Sequence, residues 1–174
     1  IEYGSVEAVK LVLAKGVNPN AADKKGKKPL ELLGLAAPEP KKKAELLIQH
    51  GSNVNDVSGA DQDPIVLNIY NPEIVALMIR NGADIHKQDK RWERSIADKI
   101  MFDYSFGCQD ELISVLVNHG IDLNKKNPKY PYLSYLGSAI ERGDDACVEN
   151  LLKRGVTYST VQSKTSHGPE RSAL

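Results

Sequence analysis

Apolar residues recur along the chain at spacings of three and four, each run closing on a glycine followed by a short polar turn. Five glycines hold this position: Gly16, Gly51, Gly82, Gly120 and Gly155, separated by 35, 31, 38 and 35 residues. Four places before them stand Val12, Leu47, Met78, Leu116 and Leu151; three places before, Leu13, Ile48, Ile79, Val117 and Leu152. Seven before come Val9, Ala44, Val75, Ile113 and Val148; five before, Leu11, Leu46, Leu77, Val115 and Asn150. This spacing paints one apolar stripe along each of five helices, the mark of helices packed on neighbours. Two places after the glycine fall Asn18, Asn53, Asp84, Asp122 and Thr157; four after, Asn20, Asn55, His86, Asn124 and Ser159. Glycine suits a left-handed helix end, and Asn or Asp suits the turn beyond it. A period near 35 residues means one helical unit repeated and stacked, because no single unit can bury its own stripe.

The segments Leu11–Asn20 and Leu77–His86 resemble the second helix and exit turn of an ankyrin repeat, and Asp23–Glu31 resembles the turn and first-helix start of that family. Asp63-Pro64-Ile65 is a weaker copy, Arg94–Ala97 and Ser134–Gly137 weaker still, and Ser138–Asp144 matches the end of a first helix. The resemblance covers residues 1–158 and implies an all-α solenoid of five stacked helix-turn-helix units with projecting turns. The tail, residues 159–174, is polar and reads as a frayed extension.

The copies drift. Gly34–Pro40 interrupts the second between its helices; the third is short, its second helix starting at Asn71-Pro72; the fourth has extra residues around Met101–Gly107, which predicts a longer or irregular first helix. Only Ile1–Gly4 stands for the first helix of the first copy. That edge is expected to be covered by residues upstream of Ile1, since terminal repeats need a cap. The chain has no initiator Met, so a secretory leader upstream stays open.

Composition narrows the function classes. With 23 basic and 23 acidic residues the formal net charge is zero, which disfavours a simple nucleic-acid or membrane-surface binder. No apolar run approaches the ~20 residues of a membrane span. Cys108 and Cys147 are too few for a disulfide framework and lack metal-ligand spacing, so reduced thiols in a cytoplasmic protein are expected.

Catalytic chemistry is hard to assemble from what remains. His50 and His119 share one column, just before the glycine, where a side chain meets the carbonyls and negative dipole of a helix end. His86 lies in the Asn column and is expected to bond turn backbone. A Cys108–His119 pair on one helix would be ~16 Å apart along its axis, too far for proton transfer. Lys24–Lys28 holds one glycine and no preceding strand, so it is no phosphate loop. Lys41–Lys43 reads as the solvated start of a helix. Asp110-Glu111 and Asp144-Asp145 suit helix N-termini. The expectation is a protein that is not an enzyme and needs no cofactor or metal.

Binding is therefore assigned to the turns between copies, which the family resemblance makes fingers beside a concave groove. Ala22–Lys28 carries four lysines; Asp56–Asp63 is acidic; Lys87–Arg94 surrounds Trp92; Lys125–Tyr132 combines lysines with two tyrosines. Trp, Tyr and Arg dominate interface energies. The predicted partner-binding residues are Lys25, Lys27, Lys90, Arg91, Trp92, Lys129, Tyr130 and Tyr132, on a monomeric scaffold that grips a protein with acidic patches. Alternatives are a regulatory or targeting module of a longer enzyme, a secreted effector, or an antitoxin-like immunity protein.

Overall fold

The helix ends follow from the glycines. Gly16, Gly51, Gly82, Gly120 and Gly155 all sit at positive φ, between 77° and 91°, backbone that a residue with a Cβ adopts only under strain. Beyond four of them the chain turns back in the same way, with Ser52, Ala83, Ile121 and Val156 N–H donating to Leu47, Met78, Leu116 and Leu151 carbonyls at 2.9–3.1 Å. These six-to-one bonds satisfy helix-end carbonyls that would otherwise be orphaned.

The computed structural model describes residues 4–33, 37–56, 64–68, 70–89, 94–102, 109–126 and 134–157. Their regular elements are helices apart from one two-residue antiparallel ladder, with turns and loops between them. In chain order come α1 (Val6–Ala14), a 3₁₀ turn (Pro29–Leu32), α2 (Pro40–Gln49), α3 (Pro64–Leu67), α4 (Pro72–Arg80), β1 (Gln88–Asp89), β2 (Arg94–Ser95), α5 (Ile96–Phe102), α6 (Asp110–Asn118), α7 (Tyr135–Arg142) and α8 (Asp145–Lys153). Among the described residues no helix is long and apolar enough to cross a membrane.

The chain divides into two compact units between Asp122 and Leu123. In the first, the glycine-terminated helices pack in sequence order, α1 on α2, α2 on α4 and α4 on α6, while the 3₁₀ turn packs on α2 and α3. Leu13, Leu47, Val75, Met78, Ile79 and Leu116 form the shared core. The second unit is built on α7 packed against α8, burying Tyr135, Leu136, Ala139 and Leu151.

Helix starts are capped as the residue types require. Ser5, Asn71, Ser134 and Asp144 side chains accept from Ala8, Ile74, Gly137 and Cys147 N–H. The first helices are shorter than helix-turn-helix units lead one to expect: a four-residue 3₁₀ turn in the second copy and a four-residue α3 in the third. Proline opens both, and the third copy has few residues before Asn71 begins the next helix. In the fourth copy α5 is a regular seven-residue helix up to Phe102, and residues 103–108 lie outside the described set.

Three expectations are corrected. Lys43 is fully buried, because it occupies the column that holds Ile74, Leu112 and Cys147, the face that each helix turns to its neighbours. Lys41 and Lys42, paired with Glu73 and Glu39, remain the solvated cations the sequence led one to expect. Cys147 is buried, as a small apolar residue would be, but it is disulfide-bonded, which removes the argument for a reducing compartment. In the first copy Leu11 and Val12 are exposed, and only Val9 and Leu13 join the core.

Candidate functional site

The turns between copies are shaped by hydrogen bonds that the sequence spacing anticipated only in part. Inside each turn the residue two places after the glycine closes a small ring on the residue four places after it. Asn18 Oδ1 accepts from Asn20 N–H at 2.9 Å, Asn53 Oδ1 from Asn55 N–H at 2.9 Å and Asp84 Oδ1 from His86 N–H at 3.0 Å. The side chain held there then reaches forward to the next copy. Asn20 Nδ2 donates to the Gly51 carbonyl at 2.9 Å, and Asn20 Oδ1 accepts from Asn53 N–H at 2.8 Å. Asn55 repeats both bonds, to the Gly82 carbonyl and from Asp84 N–H, each at 2.8 Å. His86 Nε2 donates to the His119 carbonyl at 3.2 Å. In the second unit Asn124 Oδ1 accepts from Thr157 N–H at 3.0 Å. The Asn column therefore stitches successive turns together, so its fixed spacing serves the stack.

The column just before the glycine serves the helix end, as expected of His50 and His119. Their Nδ1 atoms donate to the Leu46 and Val115 carbonyls at 2.8 Å, and Asn81 Nδ2 does the same to Leu77 at 2.8 Å. All three bonds fall four residues back.

On this framework the first finger projects as a preorganised loop. Asp23 Oδ1 accepts from Lys25 N–H at 2.8 Å and Lys27 N–H at 2.9 Å, while Asp23 N–H donates to the Lys27 carbonyl at 2.8 Å. Gly26, at φ 77°, lets the chain reverse. The result is a ring with Lys24, Lys25 and Lys27 exposed around one carboxylate. At its base Lys28 forms an ion pair with Asp56, so one charge of the acidic second finger is neutralised by the first. In the β1–β2 ladder Gln88 stands opposite Ser95 and Asp89 opposite Arg94, and Lys126 forms a bridge with Ser134. The described parts of fingers one, three and four thus each hold a backbone pair.

Of the expected binding residues, Lys25 and Lys27 are brought together on one loop. Lys90, Arg91, Trp92, Lys129, Tyr130 and Tyr132 lie outside the described residues, as do Asp61, Asp63, Cys108 and the tail. What the sequence reading missed was Asp23 as the organiser of the loop. The signal was present in its spacing, Asp two and four residues before two lysines with glycine between. Among the described residues no group of three or more His, Cys, Asp or Glu side chains could hold a metal ion. The chain matches no family model and no curated protein.

The two amide bonds to its carboxylate give Asp23 a measurable signature. The Lys27 amide above all, with the Lys25 amide and the charges of both lysines, holds its pKa below the ordinary 3.8. A carboxyl depressed by folding stabilises its loop above the unfolded pKa and loses that contribution as pH falls through the folded one. The Lys25 and Lys27 amides should therefore hold constant chemical shifts from neutral pH down to about pH 4, then move together as Asp23 protonates. Asp23→Ala should abolish that joint step; an unchanged step in the variant would assign the titration elsewhere.

Proposed function

We propose that the chain is a divergent ankyrin-repeat protein that works without catalysis, as a scaffold gripping an acidic segment of a partner protein with its fingers. The observation that carries the reading is the first finger: three exposed lysines on a loop already fixed by Asp23 and Gly26. A loop ordered before binding pays little entropy on docking, so its charges act at defined positions. Such charges set orientation and association rate more than raw affinity. Lys27 and Lys25 are the anchors on this loop; Arg91 and Trp92 in the third finger supply the large apolar and bidentate contacts that dominate interface energies.

The regular spacing of the glycine and Asn columns, the forward stitches they make and the sequential packing of α1, α2, α4 and α6 support the family reading. The shortened first helices are where this chain departs from it.

The test is cross-linked capture from the source cells, quantified by mass spectrometry, with wild type beside Lys25→Glu/Lys27→Glu and Arg91→Ala/Trp92→Ala. The reading expects one partner bearing an acidic stretch, lost about tenfold or more in each double variant, which corresponds to ~1.4 kcal/mol. Retention of the same partner at wild-type level by both variants would contradict it.

A further inference from the structure

Finger one is built from anion-binding parts that are already occupied. A turn whose successive amides point inward ordinarily makes a nest for a phosphate or carboxylate oxygen. Here the Lys25 and Lys27 amides both donate to Asp23 Oδ1, at 2.8 and 2.9 Å, so the nest holds a carboxylate of the loop's own. The neighbouring amides are taken as well. Asp23 N–H donates to the Lys27 carbonyl at 2.8 Å, Gly26 N–H to the Asp23 carbonyl at 2.9 Å and Lys28 N–H to Glu31 Oε2 at 3.1 Å. What the loop offers outward is ammonium groups. Lys24, Lys25 and Lys27 are exposed and form no ion pair among the described residues, while Lys28 is held by Asp56. The first arginine in the chain is Arg80, so no planar guanidinium fork stands in this finger.

We infer that finger one reads the density of negative charge on its partner and not the geometry of any single anion, its occupant being a run of about four consecutive Asp or Glu residues in an extended segment. The inference rests on the partner-binding reading above and names the chemistry of that same site. An ammonium on a four-carbon stem is a point charge, whereas phosphate recognition draws on bidentate guanidinium groups and inward amides. Both of those are missing from the outward side of this loop. The span of the occupant follows from the ring. Lys24 and Lys27 lie three Cα steps apart, ~11 Å at most, which is the length of three to four extended residues. A phosphoserine concentrates its charge at one point; stems spread round a closed loop are matched better by carboxylates spread along a chain. Asp23 then has two opposed effects. It orders the loop through the amides, and it subtracts one charge from the field the partner meets. A neutral residue with the same acceptor oxygen would keep the first effect and lift the second.

The experiment titrates the isotope-labelled protein at low salt, followed at the Lys24–Lys28 amides up to millimolar ligand. The probes are unstructured Gly/Ser peptides carrying four consecutive Glu, two consecutive Glu or one phosphoserine, and a single-stranded oligonucleotide matched in charge to the four-Glu peptide. The four-Glu peptide should bind about fivefold or more tighter than the two-Glu peptide, and the phosphoserine peptide within about twofold of the latter. Replacing Lys24, Lys25 and Lys27 together by Arg should leave the four-Glu affinity within about twofold. Asp23→Asn should keep the Lys25 and Lys27 amide shifts and tighten four-Glu binding about twofold or more, a gain that damage to the loop does not produce. Preference for phosphoserine over two Glu by more than about fivefold would overturn the inference, because it requires a site shaped to one anion. Unchanged affinity in Asp23→Asn with the ring intact would do the same, and so would tighter binding of the oligonucleotide, which would make the partner a nucleic acid. The two levels separate cleanly. No response to the four-Glu peptide, with cellular capture still lost in Lys25→Glu/Lys27→Glu, removes this inference and leaves the scaffold reading standing; capture that survives that variant and Arg91→Ala/Trp92→Ala removes both.

Discussion

Leu47→Ala is expected to destabilise the first unit by ~2–5 kcal/mol, and Leu116→Ala by a similar amount. Both side chains are wholly buried, each in a helix that packs on its neighbours in the stack. Truncation removes three carbons from contact and leaves a hole that flanking helices fill only in part, since their turns are stitched at fixed spacing by Asn20 and Asn55. Val12→Ala, in the same column, is expected to cost under ~1 kcal/mol in residues 1–174, because its side chain is already half in water. Urea unfolding with an unchanged m-value measures all three. Equal costs at Val12 and Leu47 would mean that the column does not report position in the stack.

Asn68→Asp should be the most damaging single-atom exchange in the chain, costing roughly 3 kcal/mol or more at pH 7. Asn68 is 2% exposed, and its Nδ2 donates at 2.8 Å both to the Leu30 carbonyl in the 3₁₀ turn and to the Pro64 carbonyl in α3. It is the hydrogen-bonded tie between these two one-turn elements. Its Oδ1 has no partner among the described residues. An aspartate would set a charge among carbonyl oxygens with no donor to receive it, so burial would raise its pKa above the ordinary ~3.9. The penalty therefore grows as pH rises from the unfolded pKa to the folded one, and eases as pH falls between them. Unfolding at pH 7.5 and pH 5 should show the larger loss at the higher pH. Asn68→Ala should cost ~1–3 kcal/mol for the unpaired Leu30 carbonyl, the Pro64 carbonyl keeping its bond from the backbone N–H of residue 68, and show no such dependence. Wild-type stability of Asn68→Asp at pH 7.5 would contradict this reading.

The all-α architecture and its helix ends were legible because they rest on backbone chemistry local to each residue. A glycine closing an apolar stripe reads directly as a left-handed cap, and Asn71 and Asp144 read as helix starts from type and position alone. The features that escaped depend on what lies across from a residue. Apolar periodicity marks a face without saying whether a neighbour covers it, so Leu11 and Val12 looked like core. Lys43 looked like solvent-facing charge because a long side chain buries well in a core position when the helix register demands it. Asn20, Asn55 and His86 were legible as turn residues, but their forward bonds needed the next copy in place. The first finger was legible in its lysines and missed in its Asp23, whose work is done on amides and leaves no trace in charge counts.

The central claim is that successive turns of the first unit are joined copy to copy by their Asn side chains, and native-state hydrogen exchange tests it most directly. The Asn53 and Asp84 amides lie on exposed residues, so exposure alone makes them fast. Their bonds to Asn20 and Asn55 predict slow exchange in wild type. Asn20→Ala should then release the Asn53 amide while Asp84 stays protected, and Asn55→Ala should do the reverse. Fast exchange at both amides in wild type, or protection that neither substitution removes, would contradict the stitched stack.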